Sequence, residues 1–185
     1  MKDNAFFRVV QLLFLTSLFA SASAQTVSVP DPGLNAAIRA ALRIPTAPLT
    51  AQDLLTLTNL DASRRNVKST VGLEAARNLA SLNLQINQLT NFPIPITLTN
   101  LSVLGLASNP LTDLSVPSEL KQLASLTASS CALSNLVVPA SLIALTNLDV
   151  EGNSLPGFNL PATLTSLIAL NLGSICSPIS LSQPV

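Results

Sequence analysis

The chain has 185 residues with nine basic and nine acidic side chains, two cysteines, and no histidine, tryptophan or tyrosine. Without histidine, a Ser-His-Asp or Cys-His nucleophile, an imidazole general base and a histidine-ligated metal are all excluded. With no basic excess there is no counterion-release term to hold DNA or RNA and no polybasic patch for anionic lipid, so no nucleic-acid partner is expected.

Residues 1–24 read as a secretory signal. Lys2 and Arg8 supply its charged region, Val9 to Ala20 its apolar run, and Ala22-Ser23-Ala24 a small-residue cleavage site before Gln25. The apolar run falls short of the roughly 20 residues that a helix needs to cross a bilayer, so no membrane span is expected after cleavage. Cleavage removes Lys2, Arg8 and Asp3 and leaves seven basic and eight acidic residues, a net charge of 7 − 8 = −1. The expected destination is secretion or the cell envelope.

Residues 25–56 are expected to form an N-terminal helical cap. Asp31 can N-cap a helix with Pro32 at its first position, and Leu34, Ile38 and Leu42, with Ala37 and Ala41 beside them, make one apolar stripe before Pro45. Thr50-Ala51-Gln52-Asp53 has the form of a capping box with Asp in place of Glu, opening a short segment through Leu54 and Leu55. Both helices can lie over the first strand that follows.

From Leu57 the chain repeats. Leu57, Leu79, Leu101, Leu123, Leu145 and Leu167 fall at every twenty-second position, giving five full units over 57–166 and an incomplete sixth unit and tail over 167–185. Counting each of these leucines as offset zero, offset three is leucine in every unit and offset five holds Ala62, Leu84, Leu106, Ala128, Val150 and Leu172. Offsets ten, thirteen and nineteen are also mostly apolar; Phe92 and Phe158 stand at offset thirteen in register with Leu114 and Leu136, which assigns them to the core. The LxL portion places both apolar residues on one face of a strand. Proline recurs at offset sixteen (Pro95, Pro117, Pro139, Pro161), where a fixed φ and a missing donor suit an irregular return better than an α-helix.

Offset eight holds Asn87, Asn109, Cys131 and Asn153. An asparagine amide at a tight inward turn can pair backbone groups that would otherwise be buried unsatisfied, at about 1–3 kcal/mol each, so this column is read as scaffold. Cys131 stands in it as a small buried thiol with a structural role. Cys176 lies two coils further on, near 10 Å by strand spacing, whereas a disulfide needs Cα atoms within about 7 Å, so free thiols are expected.

These residues match the leucine-rich repeat, LxxLxLxx(N/C)xL. The competing solenoid, a three-faced parallel β-helix, does not require the Asn/Cys turn. The stretch VPDPGLNAAIRAAL followed by LTAQDLLTLTNLDAS, the constant repeat length and NQLT at Asn87–Thr90 resemble the internalins, secreted bacterial leucine-rich-repeat proteins. That resemblance runs from about Val29 to Asn171 and implies an α/β leucine-rich-repeat solenoid, a horseshoe with a parallel concave β-sheet, an irregular or 3-10 convex side and a short N-terminal helical cap. It also implies a surface or secreted protein that presents its concave sheet to a protein partner. The chain departs from the group in its offset-sixteen proline, and it carries no immunoglobulin-like flank or LPxTG sorting signal, so a looser bacterial relative is expected.

Offsets two, four and six should face outward. Offset four reads Asp61, Asn83, Gly105, Thr127, Asp149, Asn171 and offset six reads Ser63, Gln85, Ala107, Ser129, Glu151, Gly173. The candidate protein-contact residues are Asp61, Asn83, Gln85, Thr127, Asp149, Glu151 and Asn171. The face lacks the Trp, Tyr or Arg anchors that concentrate binding energy and the aromatics that stack sugars or bases, so a weak or avidity-dependent contact is expected. Asp149 and Glu151 point the same way on one strand, but with no third ligand they read as solvated carboxylates. Arg64, Arg65 and Lys68 form a small basic cluster on the atypical first unit, and Asn100-Leu101-Ser102 is a glycosylation sequon whose middle residue is core.

The expected function is an exported, non-catalytic protein-interaction module with no cofactor and no metal, whose partner the sequence leaves unidentified. The alternative is a structural or truncated repeat module of the cell envelope with no ligand of its own, since the sixth unit loses its pattern after Leu172. An uncovered last repeat also makes end-to-end self-association an open expectation.

Overall fold

The computed structural model describes residues 25–174 and 180–181; the expected signal segment and Cys176 lie outside the described residues. Two helices open the fold, α1 (Pro32–Leu42) and α2 (Ala51–Leu55). Ten short strands follow: β1 (Asn59–Asp61), β2 (Ser81–Asn83), β3 (Val103–Gly105), β4 (Asp113–Ser115), β5 (Ser125–Thr127), β6 (Asn135–Val137), β7 (Asn147–Asp149), β8 (Asn159–Leu160), β9 (Ala169–Asn171) and β10 (Ser180–Leu181). The six strands β1-β2-β3-β5-β7-β9 make one parallel sheet. Its register aligns Leu60, Leu82, Leu104, Leu126, Leu148 and Leu170, so each strand pairs with the next at the period of the leucines. That period is the circumference of a stacked coil, and the fold is a leucine-rich-repeat solenoid.

Burial follows the columns. The offset-zero leucines from Leu57 to Leu145 and the offset-three leucines from Leu60 to Leu148 are at most 3% exposed. Each fully buried leucine stabilises by roughly 1.5–3 kcal/mol relative to exposure, so stacking supplies most of the favourable free energy. On the return arc the prolines begin tight turns: Pro95, Pro117, Pro139 and Pro161 each accept through the carbonyl from the N–H three residues on, at 3.1–3.3 Å. Among the described residues the arc therefore contains no α-helix after the cap, as the missing proline donor requires.

A second column of strands runs along this arc. β4 pairs with β6 in register, and β10 pairs with β8. The sequence pattern for it is an apolar offset fifteen (Ile94, Val116, Val138, Leu160), buried with offset thirteen two residues earlier. That alternation is a strand signal. Pairing stops between β6 and β8. Ser134 donates its N–H to Thr112 at 2.8 Å, and Pro156, its counterpart one coil later, has no N–H to give. In the last coil Leu181 of β10 pairs with Leu160 of β8, one position short of the period kept everywhere else, so the sixth unit closes early.

The asparagine column stitches the coils together. Asn109 Nδ2 donates to Leu84 O in the coil before (2.9 Å) and to Leu106 O in its own (2.8 Å), while its Oδ1 accepts from Leu89 N–H (3.1 Å). Asn87 and Asn153 repeat this arrangement at Ala62, Leu84 and Val67, and at Ala128, Val150 and Leu133. Cys131 keeps one link to the preceding coil, Sγ to Leu106 O at 3.5 Å, and the register-equivalent bond from Leu111 N–H is absent. Burial raises the Cys131 thiol pKa against the opposing pull of the Asn109 and Ser108 N–H groups, so it stays a protonated donor.

The cap is locked to the first coil by one carboxylate. Asp31 Oδ1 accepts from Leu34 N–H at 2.9 Å and N-caps α1; Oδ2 accepts from Lys68 N–H at 2.8 Å and Ser69 N–H at 3.2 Å, far along the sequence in the first repeat. Leu34, Ala37 and Ile38 are buried as the stripe predicts, but Leu42 is half-buried and Ala41 exposed, because Arg43 turns left-handed at φ 57° and ends the helix there. Thr50 and Asp53 form the capping box in full.

The corner bonds and the cap carboxylate can each be tested. Asn109→Ala should cost about 2–4 kcal/mol in urea unfolding by orphaning two carbonyls and an amide, whereas Cys131→Asn should gain about 1 kcal/mol by supplying the missing acceptor. Burial opposes ionisation of Asp31, but the N–H groups of Leu34, Lys68, Ser69 and Gly33 outweigh it and hold its pKa below the ordinary 3.8. A lowered folded pKa means that Asp31 contributes stability above pH 3.8 that is lost as pH falls through the folded value. The wild-type thermal midpoint should therefore exceed that of Asp31→Asn at neutral pH, and the gap should close below that point.

Candidate functional site

Strand alternation places the candidate residues. From the first rung to the fifth the offset-three and offset-five side chains fill the coil, so offsets two, four and six project from the concave face. The three outward offsets carry mostly short polar residues, with Val103 at 44% exposure the largest apolar one among them, and Ile168 and Leu170 border the face at its last strand. Its charges are Asp61, Asp149 and Glu151, with no basic residue at any of the three outward offsets.

Four of the seven candidates do structural work at the ends of their strands. Asp61, Asn83, Asp149 and Asn171 each accept through Oδ1 from the N–H two residues on, at Ser63 (3.0 Å), Gln85 (3.1 Å), Glu151 (3.2 Å) and Gly173 (3.2 Å). These are Asx turns. They bend the chain out of the sheet into the asparagine corner. The Ser63 backbone and hydroxyl, assisted by Arg65 and opposed by slight burial, hold the Asp61 carboxyl below its ordinary pKa.

The sheet register sets Thr127, Asp149 and Asn171 side by side. They line a shallow depression of about 500 Å³ with Ser125, Asn147 and Ala169. Glu151 leans along its rim: Asn171 Nδ2 donates to Glu151 Oε2 at 2.9 Å, and the Glu151 side chain lies where a β-carbon on Gly173 would come within 3.1 Å. Asn83 and Gln85 are not part of this group. Gln85 folds over Gly105, where a β-carbon would meet Nε2 at 2.8 Å, so a glycine leaves room for the neighbouring amide. Asp61 is four strands from Asp149, about 19 Å at the spacing of a sheet. The Asp149–Glu151 pair gains no third carboxylate, and among the described residues no group of His, Cys, Asp or Glu is placed to hold a metal ion.

Sequence reading missed a column beside this face. Offset seven adopts left-handed backbone in every unit: Arg64, Ile86, Ser108, Ser130, Gly152 and Ser174 all have φ between 52° and 69°. From the first unit to the fifth, the offset-seven N–H donates to the offset-six carbonyl of the next coil, which requires that turn; Arg64 donates to Gln85 at one end of the series and Gly152 to Gly173 at the other. No residue type marks the column, since only Gly152 is the residue the conformation prefers. The turn at Ser174 carries the coil geometry past Leu172, where the sequence pattern thins out.

No family model matches the chain, and no curated protein matches it by sequence. Solved structures match its fold. The functional domain of InlJ from Listeria monocytogenes, which includes a cysteine ladder, is 25% identical with a TM-score of 0.72 over 81% of this chain and 34% of that one. The internalin InlF from Listeria monocytogenes is 23% identical with a TM-score of 0.56 over 79% of this chain and 52% of that one. A TDR receptor is 26% identical with a TM-score of 0.56, over 70% of this chain and 24% of that one. The chain thus spans about a third to a half of these two internalin structures, and its fold is that of an internalin-like leucine-rich-repeat protein.

Ile86 tests the turn column. A β-branched side chain at φ 56°, 44% exposed, is strained with little burial to offset it. Ile86→Gly should raise the free energy of unfolding by about 1 kcal/mol in urea titration; an equal or lower value would mean that the side chain's packing outweighs its strain.

Proposed function

We propose that this internalin-like chain is an exported, non-catalytic protein-interaction module that meets its partner on the concave sheet, at Thr127, Asp149, Asn171 and Glu151, with Asp61, Asn83 and Gln85 extending the contact toward the cap. The observation that carries the reading is the six-stranded face itself, whose outward residues lie in register from β1 to β9 and form the depression over β5, β7 and β9. Support for a protein partner comes from the matched internalins and receptor, which share the fold. Support for export comes from the signal-like residues 1–24, and no helix among the described residues is long and apolar enough to cross a membrane. Destination in the cell envelope or outside the cell belongs to the same proposal.

Chemistry on the face favours binding over turnover. Its carboxylates are spent on backbone turns, on the Ser63 hydroxyl beside Asp61 or on a neighbouring amide. Lacking large anchors, the face gathers affinity from area and from repeated contacts.

The test uses Thr127→Arg with Asn147→Arg, two outward positions that hold no strand-end turn. A partner recovered by cross-linking should lose at least about tenfold in affinity, roughly 1.4 kcal/mol, with the melting curve unchanged. Full retention of the partner would move the contact off the concave sheet.

A further inference from the structure

The residue that the expected signal cut exposes already holds a place in the fold. Cleavage after Ala22-Ser23-Ala24 makes Gln25 the first residue of the exported chain. Thr26 forms an antiparallel bridge with Thr50, flanked by two backbone bonds: Ala51 N–H donates to Gln25 O at 2.9 Å and Val27 N–H to Leu49 O at 2.8 Å. Ala51 opens α2, so its N–H has no acceptor within the helix, and the Gln25 carbonyl fills that need. The same segment then runs into the cap. Val29 is buried and its carbonyl accepts from Asn35 Nδ2 at 3.0 Å, while Ser28 lies so close to the first coil that a β-carbon on Gly72 would come within 2.7 Å of its carbonyl oxygen. Gln25 itself is exposed and enters the ladder through its carbonyl alone, which leaves its nitrogen and its side-chain amide outside it.

We propose that the exported chain carries pyroglutamate at position 25, formed when Gln25 cyclises after the signal is removed. The inference rests on the export reading above and is independent of the concave face. In the step, the uncharged α-amine of Gln25 attacks its own side-chain Cδ. A new N–Cδ bond closes a five-membered lactam, the Cδ–Nε2 bond breaks, and Nε2 leaves as ammonia with the proton that the amine gives up. Nothing is oxidised or reduced, and the chain loses one ammonia. The ring is built from the nitrogen, Cα and the side-chain carbons, so closing it leaves the carbonyl that Ala51 holds untouched. The residue type is specific, because asparagine at this position would need a four-membered ring and alanine or serine has no amide to displace. Protection of the segment follows from the missing amine. Aminopeptidases bind a free α-amine, and chain ends are where trimming concentrates. Trimming here would first remove the acceptor for Ala51 N–H and next, with Thr26 and Val27, the bridge to Thr50 and the donor to Leu49, loosening the start of α2. A lactam stops that loss at its first step.

The test expresses the full chain, residues 1–24 included, in an exporting bacterial host and analyses the exported product by intact mass and by mass spectrometry of its terminal peptide. That peptide should begin at position 25 and weigh one ammonia less than the glutamine form. The folded protein should resist a general aminopeptidase. Gln25→Asn, cut at the same place, should keep its free amine and full mass, lose residues to the same aminopeptidase, and melt like the wild type before that treatment. A wild-type product that begins at Gln25 and keeps its amine through prolonged incubation at neutral pH overturns the proposal and leaves export standing. A product that begins at another residue, or that retains residues 1–24, overturns it together with the export reading.

Discussion

Everything in this molecule depends on satisfying backbone groups inside a turn too tight to satisfy its own. Each coil turns its chain inward directly after a three-residue strand, and that corner buries carbonyls from two adjacent coils and an amide from the coil before. A side-chain amide is the smallest group that both donates twice and accepts, and its bonds span coils, so one residue type in one place both closes the turn and sets the stacking distance. Among the described residues no buried side-chain polar atom lacks a partner. With the corner fixed in successive coils, strand register in the concave sheet equals coil length and the leucine columns align. The constant pairing step of the sheet, Leu82 on Leu104 and Leu104 on Leu126, is the same constraint seen from the other side.

That chain of dependence explains what can be read in the sequence. Leucine at offsets zero and three, the Asn/Cys column and the two capped helices are written in residue types that have few other uses in such spacing, and their structure follows the expectation. Offset fifteen is equally apolar but sits next to a conspicuous proline, and the proline's local meaning obscures the strand that precedes it. The left-handed column at offset seven leaves no trace, because arginine, isoleucine, glycine and three serines all occupy it; the fold imposes the conformation through the offset-six carbonyls of the next coil. Asp31 is legible as a helix cap. Its bonds to Lys68 and Ser69 are not, since nothing local to a cap names the distant donors that its second oxygen will meet.

The cysteine at offset eight shows how much the column tolerates. Cys131 retains a donor to the preceding coil and surrenders the acceptor, and the stack passes through it without a change of register between β3, β5 and β7. The cost is local, because Asn109 and Asn153 on either side keep their full sets of bonds. A solenoid's interactions are confined to adjacent turns, so a weakened corner lowers the stability of one interface without undoing the rest.

The candidate face is legible in position and less so in role. Alternation along LxL identifies which residues point outward, but it cannot distinguish an outward residue available to a partner from one already holding its own backbone. The structure draws that line: Asp61, Asn83, Asp149 and Asn171 end their strands with an Asx turn, while Gly105 and Thr127 occupy the same offset without one. Replacing an Asx residue there exchanges a contact for a turn, so those four positions are constrained twice. Freedom to tune a contact lies at offset two, at Thr127, and in the longer side chains of Gln85 and Glu151 at offset six. Specificity on such a surface is therefore written mainly by residues that the scaffold does not require, and a face of small polar groups is what remains when scaffold demands are met at most of the offset-four positions.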